Sequence, residues 1–539
     1  MNKEPQPTSG EYKLKSEDKK IIAKEKIPIG DQYLDILKER GLDDYATVYK
    51  KVLEIAETIK ASGGKVLLVG GSIRDMMMGT IPKDYDIEIY GLEPEEIKKI
   101  LTPIGKVSEV GEAFGVLKVF FPKEGLDIDV SLPRKDSKTG KGHKDFSVEA
   151  DPNMSIIEAA KRRDFTMNSI CADPLTGEIF DAFGGLEDIK NRKLKITDNE
   201  LFKDDPLRVL RGMQFIGRFG LEVDKDSVPI LQEMAPLVKD LSKERILEEW
   251  KKLLLKSEKP SLGLAAAMNL GILREIHPEL PPLRETPQEP EWHPEGDVWI
   301  HTLMVIDEAA KIARREELDD AKKFTLLLTA LCHDLGKPAT TETREDGKII
   351  SHAHDKAGIE PTKKFLAQLG VDNLTRDKVV KLVGEHLTPT LFYIEETVRG
   401  NHIKDGAIRR LAKRLHPATI QELVLVSESD HLGRGEFGNT EVPEQLMLDP
   451  MNYPAGKWLL TRARELEVED SRPADLTQGR HWLAFGFKPG PNLGKLIRLA
   501  NDLRDDKGFS REMVFEAVDG IADEDKAVAK LEKLLEPIE

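Results

Sequence analysis

Cysteine is almost absent: the 539 residues contain two, Cys171 and Cys332. They stand far apart and form no CxxC, which argues against a disulfide scaffold, a disulfide partner and a cysteine-type zinc site. A reducing, cytoplasmic compartment is the simplest expectation. No run of about 18 apolar residues occurs, so no membrane span is expected. The first twenty residues, MNKEPQPTSGEYKLKSEDKK, lack the apolar stretch of a secretory leader. Low-complexity tracts and internal repeats are missing too. A surplus of positive charge is also lacking: Lys and Arg total 81 against 97 Asp and Glu, a formal charge of −16. That balance speaks against wholesale coating of nucleic acid, while leaving room for a local basic groove.

What is present suffices for several cores. Hydrophobic residues make up 39% of the chain, and the length suggests three to four domains at roughly 150 residues each. Residues 1–30 are polar and rich in Lys and Glu, and read as a loose extension. Residues 31–62 carry helical apolar spacing (Leu34, Leu37, Val48, Val52, Ile55, Ile59). From Lys65 the pattern changes to short β runs: Lys65–Val69, then Tyr85–Tyr90 and Leu126–Val130 with period two. Beyond residue 185 helical spacing dominates, and the proline-rich stretch 278–294 reads as a linker. The fold class expected is α+β, with a small mixed sheet in residues 63–185. Helices then fill a neck at 186–280, a histidine-bearing domain at 295–440 and a tail at 441–539.

Two constellations carry chemistry. In the first, Asp84 and Asp86 are two apart, so on a strand both carboxylates leave the same face. Like charges that close call for a cation between them, and a hard ion such as Mg2+ prefers such oxygens together with triphosphate oxygens. Asp129, from the repeat Leu126-Asp-Ile-Asp-Val130, is the candidate third carboxylate. Two ions about 4 Å apart can activate a 3′-hydroxyl and steady a leaving pyrophosphate. Upstream, Gly70 and Gly71 follow a strand and open a helix, where backbone N–H groups can approach a phosphate, and Arg74 lies in the first turn.

At these residues the chain resembles the class II nucleotidyltransferases, that is, the tRNA CCA-adding enzymes and bacterial poly(A) polymerases. Leu68–Asp75 (LVGGSIRD) followed by Lys83–Asp86 (KDYD) is similar to their signature. Arg162–Asn168 (RRDFTMN) resembles RRDxTxNA, with Ser169 where Ala is usual, and Asp204–Arg211 (DDPLRVLR) resembles EDxxR, with Asp204 in place of Glu. The resemblance implies that Asp84 and Asp86 hold the metals. Gly71 and Arg74 then hold the triphosphate, and Arg163 and Asp164 lie by the sugar and phosphates. Asp205 and Arg208 template the incoming base, with Arg211 behind the phosphates. An Asp acceptor beside an Arg donor matches the amino-and-ring-nitrogen edge shared by cytosine and adenine, so CTP and ATP are the expected substrates and a tRNA 3′ end the expected partner. The basic stretch 134–144 reads as a mobile loop that, by resemblance, helps switch from C to A.

The second constellation gathers histidines. His301, His333, Asp334 and Asp430 form an H…HD…D set suited to a divalent metal. It resembles the HD phosphohydrolase domain, whose metal can lower the pKa of a bound water for attack on a phosphoester. His354 and His386 line the pocket or bind phosphate or a second metal. Together the two parts resemble CCA-adding enzymes whose HD domain removes 2′,3′-cyclic, 2′- or terminal phosphates. The alternatives are a CC-adding, A-adding or poly(A) relative, or an HD phosphohydrolase with a non-catalytic RNA-binding head.

Overall fold

The computed structural model describes residues 12–109, 116–138, 146–434 and 453–536. The chain divides into two compact units, Met1–Val238 and Lys239–Glu539.

The first unit is built on an eight-stranded mixed sheet. Its strands are β1 (Ile22–Lys26), β2 (Lys65–Val69), β3 (Ile87–Tyr90), β4 (Lys106–Glu109), β5 (Val116–Phe121) and β6 (Leu126–Ser131), followed, after the hairpin β7 (Arg134–Lys138) and β8 (Phe146–Ala150), by β9 (Cys171–Ala172) and β10 (Glu178–Phe180). The order is β1-β10-β9-β2-β3-β6-β5-β4. Only β3 and β6 run parallel, with Ile87 opposite Val130; this register sets Asp86 and Asp129 side by side at the strand ends. The helix Asp43–Ala61 packs on the sheet through Ala46, Tyr49, Val52, Ile55, Ala56 and Ile59, a stripe of i, i+3, i+4 spacing. A cluster containing Leu67, Val69, Tyr90, Ile156, Ala159, Cys171 and Phe180 packs with Tyr12, Leu14, Ile21 and Ile22.

That cluster corrects one expectation. Residues 12–30 are not a loose extension. Ile22–Lys26 is the sheet's edge strand, Tyr12 meets Tyr90 at 5.8 Å between ring centroids, and Asp18 is buried and accepts from Ile157 N. The β-run expected over Tyr85–Tyr90 begins later than its alternation suggested: β3 starts at Ile87, with Asp84 in a bend before it. The stretch read as a mobile basic loop, 134–144, starts with strand β7, which pairs antiparallel with β8; residues 139–144 lie outside the described residues.

The second unit is helical apart from a two-stranded ribbon, Thr341–Thr343 with Ile349–Ser351, among the described residues. Four capped helices frame its centre. Val298–Arg315, Asp320–Cys332 and Asn373–Glu385 begin at Asp297, Asp319 and Asp372, whose carboxylates accept first-turn N–H groups. Ile420–Leu432 begins with a capping box of Thr419 and Glu422. The proline-rich stretch is packed rather than a linker: Leu280 and Leu283 are fully buried, and Pro281–Glu285 is a 3-10 turn. The tail forms its own small core around Trp482, Leu496, Leu503, Val514 and Leu531.

Candidate functional sites

The strand-borne site is a cleft of about 370 Å3 lined by Asp86, Glu88, Asp129, Ser131, Arg162 and Arg163, among others. Tyr85 decides which way the acids face. It is buried, donates to Tyr33 Oη at 3.2 Å and packs on Tyr49. Its neighbours Asp84 and Asp86 are both exposed while Tyr85 is buried between them, although neither lies within the strand that the two-residue spacing suggested. Burial raises the Asp86 pKa, and the charges of Asp129 and Asp84 push it the same way, against Arg163 and Arg74. Lys118 lies 3.5 Å from Asp129 and 3.8 Å from Asp127. Asp86 and Asp129 line one cleft and Asp84 lies close enough to act on Asp86, a set of oxygens that suits divalent ions. Glu88 extends the row to i+4. It is buried, accepts from Tyr90 Oη at 2.6 Å and lies 3.6 Å from Arg163. Sequence reasoning passed over it, although the D-x-D-x-E alternation was visible.

Gly70 has φ of +64°, and a Cβ there would come within 3.1 Å of Arg163 Nη1. The turn thus needs glycine twice, for its backbone and for the arginine beside it. Arg163 lines the cleft, whereas Arg74 and Asp164 do not reach into it. Arg74 is buried, bound to Asp75 at 2.7 Å and Asn168 at 2.8 Å, and stacked on Phe219 at 4.6 Å. Asp164 is buried and accepts from Arg211 Nε at 2.6 Å, Asn168 Nδ2 at 2.9 Å and Phe165 N at 2.8 Å. Burial opposes its charge, but Arg211 and these bonds outweigh it and hold the carboxyl below its ordinary range. Gly71 opens the short helix Gly71–Met77. Asp205 precedes the helix Leu207–Phe219 instead of sharing its face with Arg208, and accepts from Leu207 N at 3.0 Å. Arg208 folds back to the carbonyls of Leu201 (2.6 Å) and Arg162 (2.8 Å).

The helical site is closed. His301, His333 and Asp334 offer ligand atoms within 4.8 Å of one another, and so do Asp334, His354 and His386. The two sets share Asp334. Asp430 joins the first, 3.0 Å from His301 Nε2. Helix ends aim the rings. Nδ1 of His333, His354 and His386 meets the carbonyl three residues earlier (Ala330, Ser351 and Val383) at 2.7, 2.8 and 2.8 Å. A carbonyl only accepts, so Nδ1 carries the proton and Nε2 keeps its lone pair for the centre. His301 Nδ1 meets Glu295 Oε1 at 2.8 Å, and Glu295 also takes His293 at 2.9 Å. Carboxylate backing of this kind orients a metal-binding imidazole. Neither Glu295 nor His293 was anticipated; the segment HPEGD, just before His301, was the available signal.

Several ligand atoms of the centre have no protein hydrogen-bond partner. His333 Nε2, His386 Nε2 and both oxygens of Asp334 are buried without a well-directed hydrogen bond. A divalent ion would satisfy them, so the donor set fits a metal. Burial disfavours charge on Asp334, but His333 and Lys337 hold it well below the carboxylate range. Asp430 is likewise held down, against burial, by Arg434 and His301. Burial and the neighbouring His354 lower His386 to about 4.

Three family models match: the Poly A polymerase head domain over residues 66–195, the probable RNA and SrmB-binding site of polymerase A over 220–283, and the HD domain over 298–451. The chain is 32% identical over 413 residues to a multifunctional CCA protein of Stenotrophomonas maltophilia (strain K279a), spanning 75% of this chain and 94% of the relative. It is 30% identical over 446 residues to one of Xanthomonas campestris pv. campestris (strain B100), spanning 81% and 97%. Among solved structures, the Bacillus stearothermophilus CCA-adding enzyme in complex with CTP aligns with a TM-score of 0.56 at 20% identity, over 90% of this chain and 97% of that one. The Thermotoga maritima CCA-adding enzyme complexed with tRNA aligns at 0.53 and 16%, over 91% and 95%. At these identities the structural likeness speaks for the fold, and the curated relatives carry the assignment: the chain belongs to the multifunctional CCA protein family.

Proposed function

We propose that this chain is a CCA tRNA nucleotidyltransferase that builds or repairs the 3′-terminal CCA from CTP and ATP, and that its HD centre hydrolyses cyclic or terminal phosphates on RNA. The observation that carries the first activity is the placement of Asp86 and Asp129 on one cleft beside Arg163, with Asp84 near enough to Asp86 to act on its charge. There Mg2+ would be held by the three carboxylates, and when bound it supplies Lewis acidity for attack of a 3′-hydroxyl on the α-phosphate. Arg163, supported by the Gly70 turn, faces the triphosphate. Asp205 and Arg208, at the start of their helix, are the base-reading pair. Arg74 and Asp164 act one layer back, fixing the RRD turn against the helix Leu207–Phe219. The second activity is supported by two overlapping ligand sets around Asp334, in which His354 and His386 serve a second ion; the geometry favours this over a purely pocket-lining role.

The test is incorporation of labelled CTP and ATP, singly and together, into a tRNA lacking its end. The full protein adds CCA and stops. Addition limited to CC or A, or an open-ended A tract, would move it to a narrower relative. Full incorporation by Asp84→Ala with Asp86→Ala would place the site elsewhere. Release of phosphate from a cyclic-phosphate end without any incorporation would favour the phosphohydrolase-only alternative.

A further inference from the structure

Two cations face the carboxylates of the helical centre, and they differ in how fully they are used. Lys337 Nζ lies 2.7 Å from Asp334 Oδ2 and donates to Gln288 Oε1 at 2.7 Å. It is buried and held from two sides. Arg434 touches Asp430 only loosely, at 3.7 Å through Nη2, and its Nε is buried without a hydrogen-bond partner. A guanidinium is a rigid fork of five donors, and a buried donor left unpaired is uncommon enough to need a reason.

The backbone delivers this arginine with little freedom. Gly433 caps the helix Ile420–Leu432, and a Cβ there would lie 2.5 Å from Val305 Cγ2 and 2.7 Å from Val305 Cα. A glycine alone lets the helix end press so closely on the helix that carries His301. Arg434 follows one turn after Asp430 and is thereby fixed beside the ligand set. Without an ion, Arg434 balances the Asp430 carboxylate. Once Asp430 and His301 hold a divalent cation, that balance is no longer needed, and guanidinium and cation together favour an anion with several oxygens. A phosphoryl group matches the fork bidentately.

We propose that Arg434 grips the terminal phosphoryl group of the RNA substrate in the phosphohydrolase site; this rests on the hydrolytic reading of that site given above. Its hold is stronger on a dianionic terminal phosphate than on a monoanionic cyclic one, because the attraction scales with charge.

The test uses the full chain loaded with Mn2+, as wild type, Arg434→Gln and Arg434→Lys. Inorganic phosphate binding is followed by calorimetry, hydrolysis with p-nitrophenyl phosphate and with 2′,3′-cyclic AMP, metal content by mass spectrometry, and folding by melting temperature. Arg434→Gln should weaken phosphate binding and raise KM for the monoester about 10-fold or more, with a smaller rise for the cyclic ester and unchanged metal content. Arg434→Lys keeps the charge but loses the fork, and should recover only part. If the glutamine variant melts early, the rise in KM of the lysine variant decides. Wild-type protein that binds no phosphate, or variants whose phosphate affinity and KM match wild type, would overturn the proposal. A rise in metal affinity with KM unmoved would reduce Arg434 to a counter-charge for Asp430 and overturn it as well. Phosphate binding without turnover of either ester would leave the grip standing and sink the hydrolytic reading instead.

Discussion

The two acidic centres solve the same problem, holding like-charged ligands together, in opposite ways. Asp84 and Asp86 lie just before β3 and Asp129 on the neighbouring β6, all with solvent beside them and with Lys118 as a loose counter-ion to Asp129. Asp334, by contrast, is buried among His333, His354 and Lys337, which hold its charge in place. One centre leaves room for a triphosphate to arrive with its ions. The other is finished before any substrate comes, its imidazoles aimed by backbone carbonyls and by Glu295. The difference teaches that charge strain belongs to the open site and charge compensation to the closed one.

Paired substitutions break that comparison most sharply. Asp86→Asn should lower nucleotide incorporation by roughly 10³-fold, the equivalent of several kcal/mol of lost charge stabilisation. At neutral pH it should raise the melting temperature of the metal-free protein, because its carboxyl is held charged against burial and two like charges. Asp334→Asn should do the reverse to stability, costing on the order of 3 kcal/mol as Lys337 and the histidines lose a buried partner. Incorporation assays and thermal melts after chelation check both. If the two substitutions shift melting in the same direction, the contrast drawn between the sites is wrong.

The next effect is smaller and concerns aim instead of charge. Glu295→Gln keeps the shape and can still accept from His301 Nδ1, but removes the charge that His301 and His293 share. Metal affinity should fall about 10- to 100-fold, measured by competition with a chelator of known strength. Unchanged affinity would mean that the helix alone orients His301.

Much of this was legible in the sequence, and the limits have a physical cause. The two-residue spacing of Asp84 and Asp86 is local and the H…HD…D set keeps a recognisable order along the chain, so close spacing and motif order carried them. Glu295 was not legible, because its role depends on a turn that brings residue 295 to the ring of His301. The roles read for Arg74 and Asp164 came from motif position, and the motif does not reveal that both side chains are spent on neighbours, Arg74 on Asn168 and Asp164 on Arg211. Residues 12–30 looked loose because they are largely polar and an edge strand exposes much of its length; only Asp18 and Ile27 of the segment are fully buried, while Tyr12, Leu14, Ile21 and Ile22 are partly buried against the cluster. The proline-rich stretch looked like a linker because proline marks turns and does not say whether the leucines between them are covered.

A buried histidine outside the ligand sets gives the finest test of what separates a binding centre from a core. His277 is as buried as His333, yet its neighbours are aromatic: Trp250 at 5.0 Å edge-on and Phe365 at 4.5 Å. Burial lowers its pKa to about 3, against an ordinary value near 6.5. The folded protein therefore keeps the ring neutral where the unfolded chain binds a proton. Stability from this group is complete above pH 6.5 and is lost as pH falls toward 3, by up to about 1.4 kcal/mol per pH unit. His277→Phe should flatten that part of the acid-denaturation profile, read from urea midpoints between pH 7 and pH 4, while carrying a packing cost that is the same at every pH. His333 contrasts with it: burial opposes its charge, but Asp334 and Asp430 draw its pKa upward. Two equally buried imidazoles thus respond to acid in opposite senses, and an unaltered slope in His277→Phe would show that burial alone does not set the response.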